Sequence, residues 1–278
     1  MTIRYARRRV QGSTLPPPIV PFEQQLAALY GSAVYRRFKF DETTPGNPDD
    51  SGTFNVNGIL QGAPTQGIAG VGLDTTDYGF RSVGAADYMI FQNSFSPHGT
   101  LVGHRTGAFL VVCKLNSSQP QAEPTLIGSG GTTTTENRRD LRLWAGGAGK
   151  PEFHWRVGAV DGTRTRRWTT ADMRDDTTHF WAIVQRRDGN GPRLFIDGVE
   201  QTTFADFTSG ITPPPLDMWG YDITAGAAAS GYAGSSAFTS LTHSAAGEFY
   251  HASSIGTATP VDTIVSDADI LALANSIP

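Results

Sequence analysis

Residues Thr178–Gln201 read THFWAIVQRRDGNGPRLFIDGVEQ. Two short apolar runs, rich in β-branched and aromatic side chains, flank a polar, glycine-containing break, which is the pattern of a β-hairpin. From His179 to Gln185 polar interruptions are too few for a strand with one wet face, so a central strand covered on both sides is predicted. Asp188, Gly189, Asn190 and Gly191 tolerate the positive φ of a tight reversal, and Pro192 falls at a strand start, where a missing N–H matters least. A second reversal is predicted at Asp197-Gly198. The hairpin is thus expected to be scaffold inside a large β-sandwich, with any ligand site elsewhere.

The chain around it has 278 residues, 32 of them Gly and 17 Pro, with few runs of strong helix formers. That favours strands joined by many turns, and a single large sandwich is compatible with the length. The formal charge of -4 and pI near 5.8 argue against generic nucleic-acid binding. Cys113 is the one cysteine, so no intrachain disulfide can form, and its place in the apolar run Phe109–Leu115 predicts a buried thiol. No run approaches the ~20 apolar residues of a membrane span. Behind Met1 and its arginines, Gln11–Pro18 is polar and proline-rich, so a secretory signal peptide is not predicted.

In chain order, residues 1–32 are expected to form an appendage. Arg4, Arg7, Arg8 and Arg9 precede the first acidic residue, Glu23, and LPPPIVP favours an extended path. Such an arm suits either a solubilising tail or a segment that docks on an acidic partner surface. Phe22, Leu26, Leu29 and Tyr30 then fall at helical spacing between Pro21 and Gly31. Residues 33–278 are expected to form the sandwich. Its first convincing strand is Ala33–Phe40, and others are predicted at Tyr88–Phe91, Phe109–Leu115, Asp140–Trp144, Glu152–Val157, Thr163–Trp168 and Gly247–Ile255. The stretch from Phe207 to Ser236 reads as loop. A short C-terminal helix starts at Ser266, whose spacing to Asp269 makes a variant capping box.

Alternation sorts the candidate surface. Leu141, Leu143, Phe153, Trp155 and Val157 share a core face, which leaves Arg142, Trp144, His154 and Arg156 on the other, and Arg164, Arg166 and Trp168 are expected to join them from one face of the next strand. Planar aromatics beside Arg or His donors suit the apolar faces and hydroxyl rims of sugars, and arginine forks suit carboxylates or sulfates. A glycan or receptor contact is one reading of this set; an amphipathic face packed under a loop or a neighbouring subunit is the other.

The order of these signals resembles the laminin-G-like branch of the concanavalin A-like lectin/glucanase jelly rolls, over about residues 33–278. VYRRFKFDE followed by DDSG and NG is similar to that family's opening strand and DSSG-type loop. HFWAIVQRRDGNGPRLFIDGVEQ resembles its central hairpin, and GEFYHASSI with IVSDADILALA resembles its return strand and terminal helix. The resemblance implies an all-β, two-sheet antiparallel jelly-roll sandwich of roughly 12 to 14 strands, large among globular sheets. Some relatives bind a rim calcium ion; no residue here is assigned to one, and no cofactor is expected. Stand-alone copies of the domain with a basic N-terminal arm resemble those in bacteriophage virion proteins, especially minor tail proteins. That likeness implies synthesis in a host cytoplasm and a place in the virion. It also implies other virion proteins as partners of the arm, and host-surface polysaccharide or receptor as the partner of the sandwich. Homo-oligomerisation would suit such an appendage, although no heptad or repeat marks it.

Catalytic patterns are missing from the sequence. The glucanases of this fold class carry alternating carboxylates on one strand, because retaining hydrolysis needs two about 5–5.5 Å apart, and the glutamates here are scattered. G-x-S-x-G does not occur, and neither phosphate-loop nor dinucleotide patterns are found. His98 and His104 lack cysteine or carboxylate neighbours for zinc, and DGNG lacks the later ligands of a calcium loop. A non-catalytic adhesion or decoration protein is therefore expected. A purely architectural protein without ligand and a glycan-degrading hydrolase of the same fold class are the alternatives.

Overall fold

In the computed structural model, strand pairing explains why two stretches of this chain are apolar on both faces. The structure describes residues 20–42, 46–53, 55, 57–74, 77–82, 87–91, 107–118, 125–130, 138–144, 149–156, 162–186, 190–210, 230–233, 247–256 and 265–278. The elements in chain order are helix α1 (Phe22–Tyr30) and strands β1 (Val34–Phe38), β2 (Gly58–Gln61), β3 (Thr65–Ala69), β4 (Tyr78–Ser82), β5 (Tyr88–Phe91), β6 (Gly107–Leu115), β7 (Thr125–Gly130), β8 (Arg138–Leu143), β9 (Pro151–Arg156), β10 (Gly162–Trp168), β11 (Thr178–Gln185), β12 (Arg193–Ile196), β13 (Val199–Glu200), β14 (Phe204–Gly210), β15 (Ser230–Ala233) and β16 (Gly247–Gly256), then helix α2 (Asp267–Ala274).

These strands form two eight-stranded antiparallel sheets, sixteen strands in place of the smaller number expected from sequence. The first runs β13-β12-β11-β6-β16-β4-β3, with β1 beside β16, and the second runs β14-β10-β9-β8-β7-β15-β5-β2. The extra strands include β14 and β15, which lie where the sequence reads as loop; FADFTSG and SGYA hold their places by backbone pairing and lack a hydrophobic pattern.

β11 lies between β12 and β6 at the centre of the first sheet. Its Trp181 and Ile183 face the second sheet, alongside Phe109, Val111, Cys113 and Leu115 of β6. The alternate residues Phe180, Ala182 and Val184, with Ala108, Leu110 and Val112, face a second core roofed by Phe22 and Leu26 of α1 and Ile270 and Leu273 of α2. Both helices therefore lie on the outer face of the first sheet, and the molecule is layered as helices, first sheet, second sheet. Burial pushes the Cys113 thiol well above its ordinary pKa, so it is an inert core group. In β16 a register shift between Phe249 and His251 changes which parity faces inward, so that Phe249 and Ala252 meet one core while Tyr250 and Ile255 meet the other.

The helix ends follow local chemistry. The Ser266 hydroxyl accepts from the Asp269 N–H and the Asp269 carboxylate accepts from the Ser266 N–H, the predicted capping box. Arg186 and Arg193 reach Asp267 in the first turn and tie α2 to the hairpin. At α1, Glu23 is buried against His251 of β16.

The turn predicted at Asp197-Gly198 has φ of 50° and 80°, as a two-residue reversal requires. Asp197 also accepts from the Phe180 N–H at 2.8 Å and meets Nδ1 of His179 at 2.6 Å, while Asp175 lies 3.2 Å from the other ring nitrogen. Burial disfavours the imidazolium, but the bonds to Asp197 and Asp175 outweigh it, and the His179 pKa lies above its ordinary value. Asp175 moves the other way, because its bonds to His179 and the Thr177 N–H outweigh its own desolvation. A raised histidine stabilises the fold below its unfolded pKa and loses that contribution as pH rises through the folded value. A lowered carboxylate contributes above its unfolded pKa and loses it as pH falls. The window is thus bounded by the carboxylate on the acid side and the imidazole on the basic side, about pH 4 to 6.5. His179→Ala is expected to lower the Tm most inside this window and least at alkaline pH; a deficit that grows above neutrality contradicts the assignment.

Candidate functional site

The outer face of the second sheet is built by the period of two in β8, β9, β10 and β14. Leu141, Leu143, Phe153 and Trp155 point into the core, so their alternates face away from it. Register then lines up three rows: Arg142, Glu152, Arg167 and Ala205; Asp140, His154, Thr165 and Phe207; Arg138, Arg156, Thr163 and Ser209. By position, these rows carry four arginines against two carboxylates.

Glu152 organises the first row. It is fully buried, with Oε1 accepting from Nε of Arg142 at 2.5 Å and Oε2 accepting from Nε of Arg167 at 2.7 Å. Two guanidiniums that share one carboxylate compensate its desolvation and hold each other in place. Nη2 of Arg142 continues the chain to Nδ1 of His154 at 3.2 Å. Arg167 is also stacked on aromatics: its guanidinium carbon lies 4.4 Å from the Trp144 ring centre and 4.5 Å from that of Phe207. Trp144 directly follows β8, and its N–H donates to the carbonyl of Lys150, the residue before β9, at 2.8 Å. Phe207 is 45% exposed, and Thr163 and Ser209 exchange a hydroxyl contact at 2.5 Å. Among the described side chains the face therefore presents the partly exposed guanidinium of Arg167, two flat rings beside it and a rim of hydroxyls, with Arg142 buried beneath.

Of the predicted residues, Arg142, Trp144 and His154 come together here. Arg156 occupies the next alternate position on β9, opposite Thr163, although its side chain lies outside the described residues. Trp168 does not join them. Thr165 pairs with His154 and Arg164 with Trp155, so Arg164, Arg166 and Trp168 take the inward parity, and Trp168 is 2% exposed in the main core. The sequence TRTRRW hides this, because an inward arginine breaks the hydrophobic alternation. Arg166 is buried and satisfied: it forks onto Asp206 at 2.7 Å through Nε and Nη2, and Nη1 donates to the carbonyls of Asn190 and Pro192 at 2.8 and 2.9 Å. Arg167, Glu152 and Phe207, absent from the predicted set, are the residues that complete the face. The arm residues Arg4, Arg7, Arg8 and Arg9 lie outside the described residues.

A second chemical arrangement is visible only in three dimensions. Oγ of Ser253 lies 2.8 Å from Nε2 of His251, and Nδ1 of His251 lies 2.5 Å from Oε1 of Glu23, in the order hydroxyl, imidazole, carboxylate. Arg37 stands 3.4 Å from the other carboxylate oxygen. Substrate access is what it lacks: all three groups are buried between α1 and the first sheet, with the Phe22 ring edge-on to His251 at 4.9 Å. It is a buried polar link that fixes the position of α1 on the sheet. Among the described residues no three His, Cys, Asp or Glu side chains are grouped to hold a metal ion, and no helix is long and apolar enough to cross a membrane.

No sequence-family model matches this chain, and no curated protein matches it in sequence. Solved structures do match in shape. The receptor-binding domain of botulinum neurotoxin C/D mosaic serotype superposes with a TM-score of 0.56 at 11% identity, over 87% of this chain and 51% of that one. Trypanosoma rangeli sialidase in complex with sialic acid gives 0.56 at 9% identity, over 88% and 33%. Domain 4 of an extracellular arabinanase from Geobacillus stearothermophilus, in complex with arabinotriose, gives 0.53 at 13% identity, over 87% and 98%. The chain thus spans about half of the first and a third of the second, but nearly the whole of the third. With the sheet topology, these matches show the fold: an all-β, two-sheet antiparallel sandwich.

Proposed function

We propose that this chain is a non-catalytic, lectin-like module whose outer second-sheet face binds an anionic glycan of a host surface. We further propose that it serves as a tail or capsid appendage of a virion, held by residues 1–21. The observation that carries the reading is the Arg142–Glu152–Arg167 row with Trp144 and Phe207 around it: cations exceed carboxylates, and the rings offer stacking surfaces to a pyranose. Domain 4 of the arabinanase, which this chain covers almost end to end, was solved with a trisaccharide and lends support. The layering also fits. Residues 20 and 21 lead into α1 on the outer face of the first sheet, the side of the sandwich opposite the proposed ligand face.

Glu152 is disfavoured as a hydrolytic acid or nucleophile, because it is buried and bonded to two arginines. On a glycan array the protein is expected to retain uronate-, sialate- or sulfate-bearing saccharides, and Trp144→Ala to abolish retention. Retention undiminished in Trp144→Ala would place the site elsewhere, and new reducing ends from host polysaccharide would make the protein a hydrolase. Deletion of residues 1–21 is expected to abolish incorporation into particles while the sandwich stays folded; normal incorporation of the truncated chain would remove the anchoring role.

A further inference from the structure

Each sheet edge is a row of backbone donors and acceptors, and this molecule treats its edges unequally. The first sheet ends on β13, of two residues, and β3, of five, while the second ends on β2, of four, and β14, of seven. β14 is the longest of these end strands, and every residue from Thr202 to Gly210 is exposed. Among the described residues only β10 pairs with it, through seven consecutive residues without a bulge. The strand carries no proline or lysine, the usual devices that keep an edge from pairing. Its sole charge, Asp206, is already engaged by Arg166. Phe204 and Phe207, 44% and 45% exposed, lie on opposite faces of the strand.

We infer that β14 is a dimerisation edge, pairing antiparallel with β14 of a second copy of this chain about a two-fold axis at Phe207. The register is self-complementary. Phe207 is the central residue of Phe204–Gly210, so Phe207 faces its own symmetry mate, Asp206 faces Thr208, Ala205 faces Ser209 and Phe204 faces Gly210. No carboxylate meets a carboxylate, and an aromatic pair sits on the axis. The two second sheets become one continuous sixteen-stranded sheet, twice the eight of one copy. Their outer faces are then joined side by side at Phe207. A partner of this kind supplies, along the full length of the strand, the hydrogen-bond row that no described strand fills.

Sedimentation equilibrium of the full chain is expected to show a concentration-dependent rise from 29.8 kDa toward twice that mass. Phe207→Lys sets two ammonium groups against each other on the axis and is expected to weaken the dimer by about tenfold or more, with an unchanged circular dichroism spectrum. Ala205→Lys should also weaken it, and Ala205→Lys with Ser209→Glu should restore it, because the two positions face each other twice across the axis. A protein that stays at monomer mass into the hundreds of micromolar overturns the inference. So does a dimer indifferent to Phe207→Lys, or a charge pair that fails to restore what Ala205→Lys removes.

Discussion

Trp181→Ala is expected to destabilise the protein by ~3–5 kcal/mol, the range for truncating a large buried aromatic. Trp181 is fully buried on β11, the strand that carries β12 on one side and β6 on the other. Its ring faces the second sheet in the larger of the two cores, with the His179 ring edge-on at 6.3 Å. Neighbours cannot close over the void easily, because β6 and β11 are held from both faces by separate cores. Denaturant unfolding of wild type and variant measures the difference, and an unchanged midpoint would refute the placement of this hairpin at the centre of the fold.

Glu152→Ala is expected to be the second large loss, ~3 kcal/mol, for a different reason: it removes the buried carboxylate that two guanidiniums share, one of them itself buried. The Arg142 side chain is 9% exposed and that of Arg167 29%, so Arg167 can turn to water while Arg142 cannot. The sequel separates charge from packing. Combining Arg142→Met with Glu152→Leu should recover most of the stability lost in Glu152→Ala, since it replaces the buried guanidinium and its carboxylate together with apolar side chains. If Glu152→Ala alone is as stable as wild type, the carboxylate is not the organiser of this face.

The two losses illustrate what the sequence could and could not disclose. Runs such as AFLVVC and FWAIV are legible because a strand buried on both faces has no polar alternation, and those runs located the centre of the first sheet. The helix at Ser266 was legible from its cap. The candidate face was legible in part: Arg142, Trp144 and His154 fall out of alternation with Leu141, Leu143, Phe153 and Trp155. Trp168 was misplaced because Arg166, an inward arginine, mimics a solvent-facing residue until Asp206 and two carbonyls are seen to satisfy it. Phe207 carries no sequence signal, because FADFTSG has no burial pattern at all, as suits an edge strand exposed throughout. Glu152 looked like an isolated carboxylate, since its partners lie ten and fifteen residues away on neighbouring strands. The hydroxyl–imidazole–carboxylate link of Ser253, His251 and Glu23 spans 228 residues between its acid and its histidine and has no local signature.

Tryptophan indoles report directly on the position of the site. Trp155, Trp168 and Trp181 are buried in the core, whereas Trp144 stands on the outer face of the second sheet against Arg167. In a proton–nitrogen correlation spectrum titrated with a uronate-containing oligosaccharide, the Trp144 indole signal should shift with saturation while those of Trp155, Trp168 and Trp181 stay fixed. Binding that leaves the Trp144 signal unmoved would contradict the assignment of this face as the ligand site.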